Sequence, residues 1–219
     1  LLLLSSCDSF LGAGAPRREG TIAVPGLSAP VGIVRDRYGI PHITAANDPD
    51  LYFAQGFCHA QDRLFQMETE RRLARGELAE IFGEAALPAD RLLRHLGFGH
   101  RAAALAASLP PASAAVAQAY CDGVNAGMES LRGWPAEFRI LGIAPRRYTV
   151  QDIAATGLLK SFGLAQWSDE AVFSAASRLL SREEMEELFP AIPPGSPTVV
   201  PGYGASPAAR RDPGKSPLP

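Results

Sequence analysis

The sequence lacks several features that would identify a common class of protein. No apolar run reaches the ~18 residues that a transmembrane helix requires. The net charge is only −2, which argues against a strongly basic nucleic-acid-binding protein. The 3 cysteines form no CxxC motif and no Cys/His cluster, so a structural zinc site has no support.

Three common catalytic or nucleotide-binding motifs are missing as well. There is no glycine-rich phosphate loop, no HExxH helix and no GxSxG turn, so nucleotide, zinc-protease and common esterase interpretations lack support. The composition itself is ordinary, with 47% hydrophobic and 20% charged residues among 219. Wholesale disorder is therefore excluded, and the length allows one large domain or two small ones.

The N-terminal end resembles the end of a bacterial signal peptide. The chain does not begin with Met, which suggests a fragment, and it opens with four leucines followed by Ser5-Ser6-Cys7. Small residues before a cysteine are typical of a lipobox. In this interpretation Cys7 is the lipidated first residue of a periplasmic or cell-envelope protein, tethered to the membrane only by a lipid anchor. The alternative is a chance leucine run before an unmodified cysteine.

The C-terminal end differs from the middle of the chain in composition. Residues 190–219 contain nine prolines, which remove backbone donors and oppose both helix and sheet. We predict a Pro-rich linker or spacer over 190–219, a folded region over 21–189, and a signal-peptide remnant with a short linker over 1–20.

The folded region is predicted to be α+β, with a short β-hairpin at its start and helices after it. Residues 21–24 and 31–35 are rich in β-branched residues and favour strands, and a hairpin is expected from about Val31 to Ala45. Pro41 would lie where the ladder needs no donor.

Helical periodicity begins after this hairpin. Asp48 is predicted to cap a long helix with Pro49 in its first turn, and Gly76 to interrupt it. Glu68 would pair with Arg71 and Arg72 on the side away from the core. A buried stripe is expected at Phe53, Phe57, Ala60, Leu64 and Met67. Further helices are predicted over about 77–82, 112–131 and 149–162, and from Asp169 onwards with a restart at Ser181.

The histidines and cysteines leave alternatives open. His59 lies one turn from Asp62, which could orient its imidazole, but a polar contact that holds a neighbouring segment is the alternative we favour. For His42, packing in the core is expected. Cys58 and Cys121 could pair in an oxidising compartment, or both could be small buried residues on helices, which we favour.

One ordered set of residues is more specific than any of these features. It begins with Arg35–Ile43, Tyr52–Glu68, Arg71-Arg72, Gly76–Glu80 and Phe82-Gly83. It continues with Asp90, Arg94, Leu96–Phe98, Tyr120–Ala126, Pro135–Phe138, Leu141-Gly142, Tyr148-Thr149 and Asp152. This set closely resembles the start of the penicillin acylase (penicillin amidase) family, over about residues 31–189. Tyr148 is a mild departure, because the family more often has Trp there.

The resemblance implies the α-chain portion of an N-terminal-nucleophile hydrolase with a four-layer αββα fold. Such a precursor cuts itself, and the new N-terminal Ser of the β chain attacks an amide, with its own α-amine as the base. No Ser-Asn-x-Trp motif is present in this sequence. We therefore expect no catalytic residue in this chain, the β chain of the same precursor as its partner, and a small acylated amine as the substrate.

The resemblance also implies two contributions from this chain to the complete site. Phe162, Leu164 and Trp167 are expected to form part of the acyl pocket, with ordinary core packing as the alternative and the one favoured for Leu159. Glu170 is expected to be one ligand of a structural calcium ion shared with the β chain, with Asp169 as a fallback ligand. The alternative for Glu170 is a solvated side chain at a helix start.

Two rival functions belong to other classes. One is a non-catalytic envelope lipoprotein that retains the fold without the nucleophile. The other is an independent helical binding module.

Overall fold

The computed structural model describes residues 14–17, 19–165 and 167–190, and of Trp167 only the backbone. These residues belong to two compact units that divide between Ala165 and Gln166. The first unit contains strands β1 (Gly32–Arg35) and β2 (Pro41–Thr44) and helices α1 (Asp48–Arg75), α2 (Ala79–Phe82), α3 (Leu87–Leu96), α4 (Phe98–Ala107), α5 (Pro111–Glu129), α6 (Ala136–Leu141) and α7 (Val150–Leu164). The second unit contains helices α8 (Trp167–Ala176) and α9 (Arg182–Leu188).

The predicted hairpin is confirmed. Strands β1 and β2 are antiparallel, and Arg35 is paired with Pro41. Just beyond that pair, the Asp36 N–H donates to the Ile40 carbonyl at 3.1 Å, and Gly39 closes the turn at a φ of +79°. Because hydrogen-bonded and non-hydrogen-bonded pairs alternate in an antiparallel ladder, Pro41 occupies an outward-facing position. Its missing N–H therefore costs the ladder no hydrogen bond.

The strand predicted over residues 21–24 does not form. Its β-branched residues favour an extended backbone, but no neighbouring strand pairs with this segment in the described part of the chain. A strand requires a backbone partner as well as suitable residues, and the sequence pattern shows only the residues.

The N-cap of helix α1 is one residue earlier in the chain than the predicted Asp48. The Asn47 side chain accepts a hydrogen bond from the Asp50 N–H at 2.8 Å, so Asn47 is the N-cap and Asp48 is the first helical residue. The helix ends at Gly76, which adopts the left-handed conformation at a φ of +67°. Arg63 has a non-helical φ of −141°, so the helix is kinked near its middle.

The core forms where α1 packs against α5. Its buried members are Ala60, Leu64, Val124, Met128 and Phe138. The predicted stripe is therefore confirmed, although Met67 is only partly buried. Helices α3, α4 and α6 were not predicted from the sequence. Helix α6 has only six residues, whereas α3 does carry an apolar stripe, at Ala89, Leu92, Leu93 and Leu96, which could have indicated it. The capping boxes at Thr149 and Ser181 form as expected.

Three charged side chains are buried beside this core, on the side of α1 that was predicted to face away from it. Glu68 accepts hydrogen bonds from Arg71 and Arg72, and all three residues are at most 4% exposed. Arg72 also donates to Glu80 at 2.6 Å, and Glu80 accepts from Arg146 at 2.9 Å. The prediction that Glu68 faces away from the core is wrong, because its side chain is buried with those of Arg71 and Arg72.

The fold class is confirmed at the level of a mainly helical chain with one small two-stranded sheet. In the described part of the chain, no helix combines the length and the apolar character needed to cross a membrane. The predicted boundaries at residues 20 and 189 are untested and stay predictions.

Candidate functional site

A groove of about 910 Å³ lies along α1 in the first unit, between that helix and helices α5 and α7. Its lining combines aromatic and aliphatic side chains with a few polar groups, among them Tyr52, His59, Met67, Val116, Tyr120, Tyr148, Ile153 and Lys160. Such a mixture is typical of surfaces that bind another molecule. The two helices that form the core, α1 and α5, therefore also line this groove, together with α7.

His59 and Tyr120 form the polar centre of this groove. Nδ1 of His59 lies 2.8 Å from the Tyr120 hydroxyl, and the two rings meet edge to face. His59 is an exposed residue, but partial desolvation in the groove lowers its pKa against the opposing effect of the Asp62 charge, and burial raises the pKa of Tyr120. Both groups are therefore neutral at pH 7, which lets the tyrosine hydroxyl donate and the imidazole Nδ1 accept.

Asp62 is hydrogen-bonded to Arg35, whereas a catalytic role for His59 would require Asp62 to orient its imidazole. Its Oδ2 accepts a hydrogen bond from Nη1 of Arg35 at 2.7 Å, which attaches β1 to helix α1. For His59 itself, the favoured alternative, a polar contact that holds a neighbouring segment, is confirmed by its contact with Tyr120 on α5. His42 lies on the hairpin surface with 66% of its side chain exposed, so the expectation of core packing there is wrong. Exposed and half-buried residues alternate along β2, and His42 lies on its exposed face.

An ion pair closes one end of the groove. Lys160 Nζ on α7 lies 2.6 Å from Glu70 Oε1 on α1, and both side chains are exposed. Further along α7, Asp152 is buried and accepts from Thr149 and from Arg75. These contacts fix α7 against α1, and they bring Tyr148 and Thr156 to the groove wall.

The predicted acyl-pocket residues occupy the C-terminal part of α7 and the start of α8. Phe162 is partly buried, and its ring meets that of Phe98 edge to face at a centroid distance of 5.6 Å. Leu164 is 84% exposed at the end of α7, and Trp167 is the first residue of α8. Leu159 packs against a cluster of buried alanines, which confirms ordinary core packing for that residue. The pocket role of the other three residues is untested.

Glu170 lies in the first turn of α8 with its side chain exposed, beside Asp169. In residues 14–17, 19–165 and 167–190, no group of three or more His, Cys, Asp or Glu side chains is placed to hold a metal ion. Two adjacent carboxylates on an exposed helix start are suitable calcium donors, but calcium requires six to eight oxygen ligands. This chain could thus supply only part of a calcium site. Cys7 and residues 191–219 lie outside the described residues.

Cys58 and Cys121 are buried, unpaired thiols. Burial raises the pKa of both, and that of Cys121 reaches about 12. A thiol that stays protonated at neutral pH is a poor nucleophile. The favoured alternative, small buried residues on helices, is confirmed.

The groove was not predicted from the sequence, although Tyr120 lies within the helix predicted over about 112–131. The hydroxyl of Tyr120 gave no signal of its own, because its partner His59 lies on another helix, sixty-one residues away. The positions of Tyr148 and Lys160 depend equally on how α7 packs against α1.

The family model described as penicillin amidase matches residues 30–206. The chain belongs to the penicillin amidase family. Penicillin acylase 2 proenzyme from Pseudomonas sp. (strain SE83) is 45% identical over 135 residues, which are 62% of this chain and 17% of that protein.

Two further relatives extend the comparison. The acyl-homoserine lactone acylase QuiP from Pseudomonas aeruginosa is 32% identical over 88% of this chain and 24% of its own length. A solved structure of a thermostable penicillin G acylase from Alcaligenes faecalis matches 78% of this chain and 97% of the solved chain, with a TM-score of 0.60 and 26% identity. The chain thus spans less than a quarter of the length of these curated relatives.

Proposed function

We propose that this chain is the α-chain portion of an amide hydrolase that removes an acyl group from a small acylated amine. The family match over residues 30–206 carries this proposal. The relatives are named as acylases of penicillins and of acyl-homoserine lactones, so an acylated β-lactam or an acyl-homoserine lactone is the expected substrate. Both are linear amides attached to a small ring.

The partner of this chain is proposed to be the β chain of the same precursor. The solved penicillin G acylase chain is matched over 97% of its length, whereas one relative named as a proenzyme is matched over 17%. Such a difference is expected if a longer polypeptide is cut and this segment becomes a chain of its own. Large apolar side chains that remain exposed, including Leu164, Val172 and Leu179, support a covering partner.

The chemistry is proposed to reside on that β chain, in an αββα core. Its N-terminal Ser hydroxyl adds to the amide carbonyl carbon while the α-amine accepts the proton, which then passes to the departing amine. Water hydrolyses the acyl-enzyme in the second half of the reaction. No residue of the present chain is assigned a catalytic role.

The present chain is proposed to bind and to position. Phe162, Leu164 and Trp167 would form an apolar wall for the acyl group, since burial of apolar surface contributes about 25 cal/mol per Å². Glu170, with Asp169 beside it, would be a ligand of a structural calcium ion, which would stabilise the contact between the chains. The protein is proposed to be in the periplasm or cell envelope, with Cys7 as the lipid attachment site.

Hydrolysis of a panel of acyl chains on one chromogenic amine tests the activity directly. The full-length mature protein should release the amine, with a preference among acyl chains that changes when Phe162 is replaced by Ala. Replacement of the exposed His100 by Ala is the matched control and should leave the preference unchanged. Absence of hydrolysis with every acyl chain would favour the non-catalytic lipoprotein instead.

A further inference from the structure

A second groove, of about 440 Å³, lies in the first unit between residues 21–24 and strand β1. Its lining is mostly apolar and includes Ile22, Val24, Val31, Ile33, Phe53 and Phe57. Two extended segments thus flank a gap whose floor is the N-terminal half of α1.

The backbone on the β1 side of this groove has hydrogen-bonding capacity that the hairpin does not use. The Asp36–Ile40 hydrogen bond sets the alternation of the ladder, so Gly32 and Val34 face β2. The N–H and C=O groups of Ile33 and Arg35 consequently point away from β2. Within the described residues, these groups form no backbone hydrogen bond.

Residues 21–24, on the other side of the groove, also resemble a strand that lacks a partner. Residues 21–24 alternate between exposed and partly buried, which is the period of a strand, yet no other described segment forms a ladder with them. Both flanks therefore have unused donors and acceptors beside a shared apolar floor. A strand inserted between them would satisfy both flanks at once.

The two edges of the hairpin are not equivalent. The outward edge of β2 includes Pro41, which has no N–H to donate. The outward edge of β1 has no proline, and its Ile33 is 40% exposed. A two-stranded hairpin is marginally stable alone, whereas three or more strands with an apolar face are stable. Only the β1 edge is thus suited to extending the sheet.

We propose that a β-strand of the partner chain inserts between residues 21–24 and β1 and joins the hairpin into a larger sheet. The proposal rests on the proposed function, because it takes its occupant from the part of the precursor that this chain does not contain. The curated relatives are more than four times as long as the segment they share with this chain, so ample polypeptide lies outside it. The inserted strand should present alternate apolar side chains to Phe53 and Phe57.

Hydrogen exchange of the assembled, full-length protein tests the insertion without any mutation. The Ile33 and Arg35 amides should exchange about a hundredfold or more slowly than the Ile43 amide, because only the former would be bonded to the inserted strand. Ile43 is the cross-strand neighbour of Ile33, and its own amide faces outward from β2. Equal exchange at Ile33 and Ile43 would overturn the proposal.

A pair of proline substitutions supplies a matched test of the same edge. Ile33 and Ile43 are paired across the hairpin. Ile33→Pro removes an N–H donor from the outward edge of β1, and Ile43→Pro removes one from the outward edge of β2. The first should separate the two chains at concentrations where the wild type stays associated, whereas the second should not. The same effect of both substitutions would contradict the insertion.

A photo-crosslinker at Thr21 identifies the occupant. Crosslinks to the remainder of the same precursor are expected, whereas crosslinks to a second copy of this chain would refute the assignment. Exchange and crosslinking report strand pairing regardless of hydrolysis. Protected Ile33 and Arg35 amides in a protein that hydrolyses no acyl amide would therefore reject the proposed function and retain the inserted strand.

Discussion

The carbonyl oxygen of Phe53 on α1 lies against Gly123 on α5, where a Cβ atom added to the glycine would stand 1.8 Å from that oxygen. In the same way, a Cβ atom added to Gly56 on α1 would stand 2.2 Å from the carbonyl oxygen of Tyr120 on α5. The two helices thus approach through glycines, with backbone against backbone. This approach places His59 and Tyr120 within hydrogen-bond distance across the groove.

Gly123→Ala should destabilise the protein strongly, because the added methyl group cannot fit without separating the helices. We expect a loss of about 3 kcal/mol in the free energy of unfolding, or no soluble protein. Gly157→Ala on α7 is the matched control, since open space surrounds that glycine and alanine favours helix by up to about 1 kcal/mol. Chemical denaturation of the full protein measures both, and equal stability of the two variants would contradict this packing.

Glu68→Gln should destabilise the protein by about 3 kcal/mol, because it leaves the buried guanidinium groups of Arg71 and Arg72 without their shared carboxylate. Glu129→Gln removes the carboxylate of an exposed pair with Arg147 and should cost less than about 1 kcal/mol. Urea unfolding at neutral pH compares the two. A smaller loss for Glu68→Gln than for Glu129→Gln would be inconsistent with the buried network.

Stability should fall as the pH decreases through 6.5, in part because of His59. The pKa of His59 is lowered in the folded chain, so near pH 6 the unfolded chain binds more protons at this residue than the folded chain does. The contribution is fully present above the unfolded pKa and decreases as the pH falls towards the folded pKa. Protonation would also remove the Nδ1 lone pair that accepts from Tyr120.

The difference in Tm between pH 7.5 and pH 5.5 measures this effect. His59→Gln should reduce that difference, whereas His100→Gln, at a position that does not line the groove, should leave it as in the wild type. An unchanged pH dependence in His59→Gln would show that the imidazole is not held neutral in the folded protein.

Glu170→Gln should lower the calcium content of the mature protein and its stability in the presence of calcium, because it removes one proposed ligand of the ion. Glu183→Gln is the matched control, because Glu183 is an exposed carboxylate in the first turn of α9. Elemental analysis after gel filtration gives the metal content. Full calcium occupancy in Glu170→Gln would remove that residue from the site.

Local signals in the sequence were sufficient for much of the fold. The apolar stripe from Phe53 to Leu64, the pairs Thr149–Asp152 and Ser181–Glu184, and the prolines near helix starts each act over a few residues. The hairpin was predictable for the same reason, since its turn residues lie between two short β-branched segments. Such features depend on propensity and capping, which a single sequence shows.

Features that depend on tertiary packing could not be predicted in this way. Glu68 looks like one member of a surface ion pair until the segment after α1 folds over it and supplies Glu80. The groove requires His59 and Tyr120 to meet across two helices, and no local pattern specifies that distance. For residues 21–24 the local pattern predicted a strand that did not form, because the segment has no strand partner within the described residues.

The account depends most on the claim that this chain is one part of a self-processed, two-chain hydrolase. Intact-mass analysis and N-terminal sequencing of the product of the full-length gene test that claim most directly. We predict two associated chains, with a serine at the N-terminus of the second and loss of amide hydrolysis when that serine is replaced by alanine. A single uncut polypeptide, or a second chain that begins with a residue unable to act as a nucleophile, would contradict it.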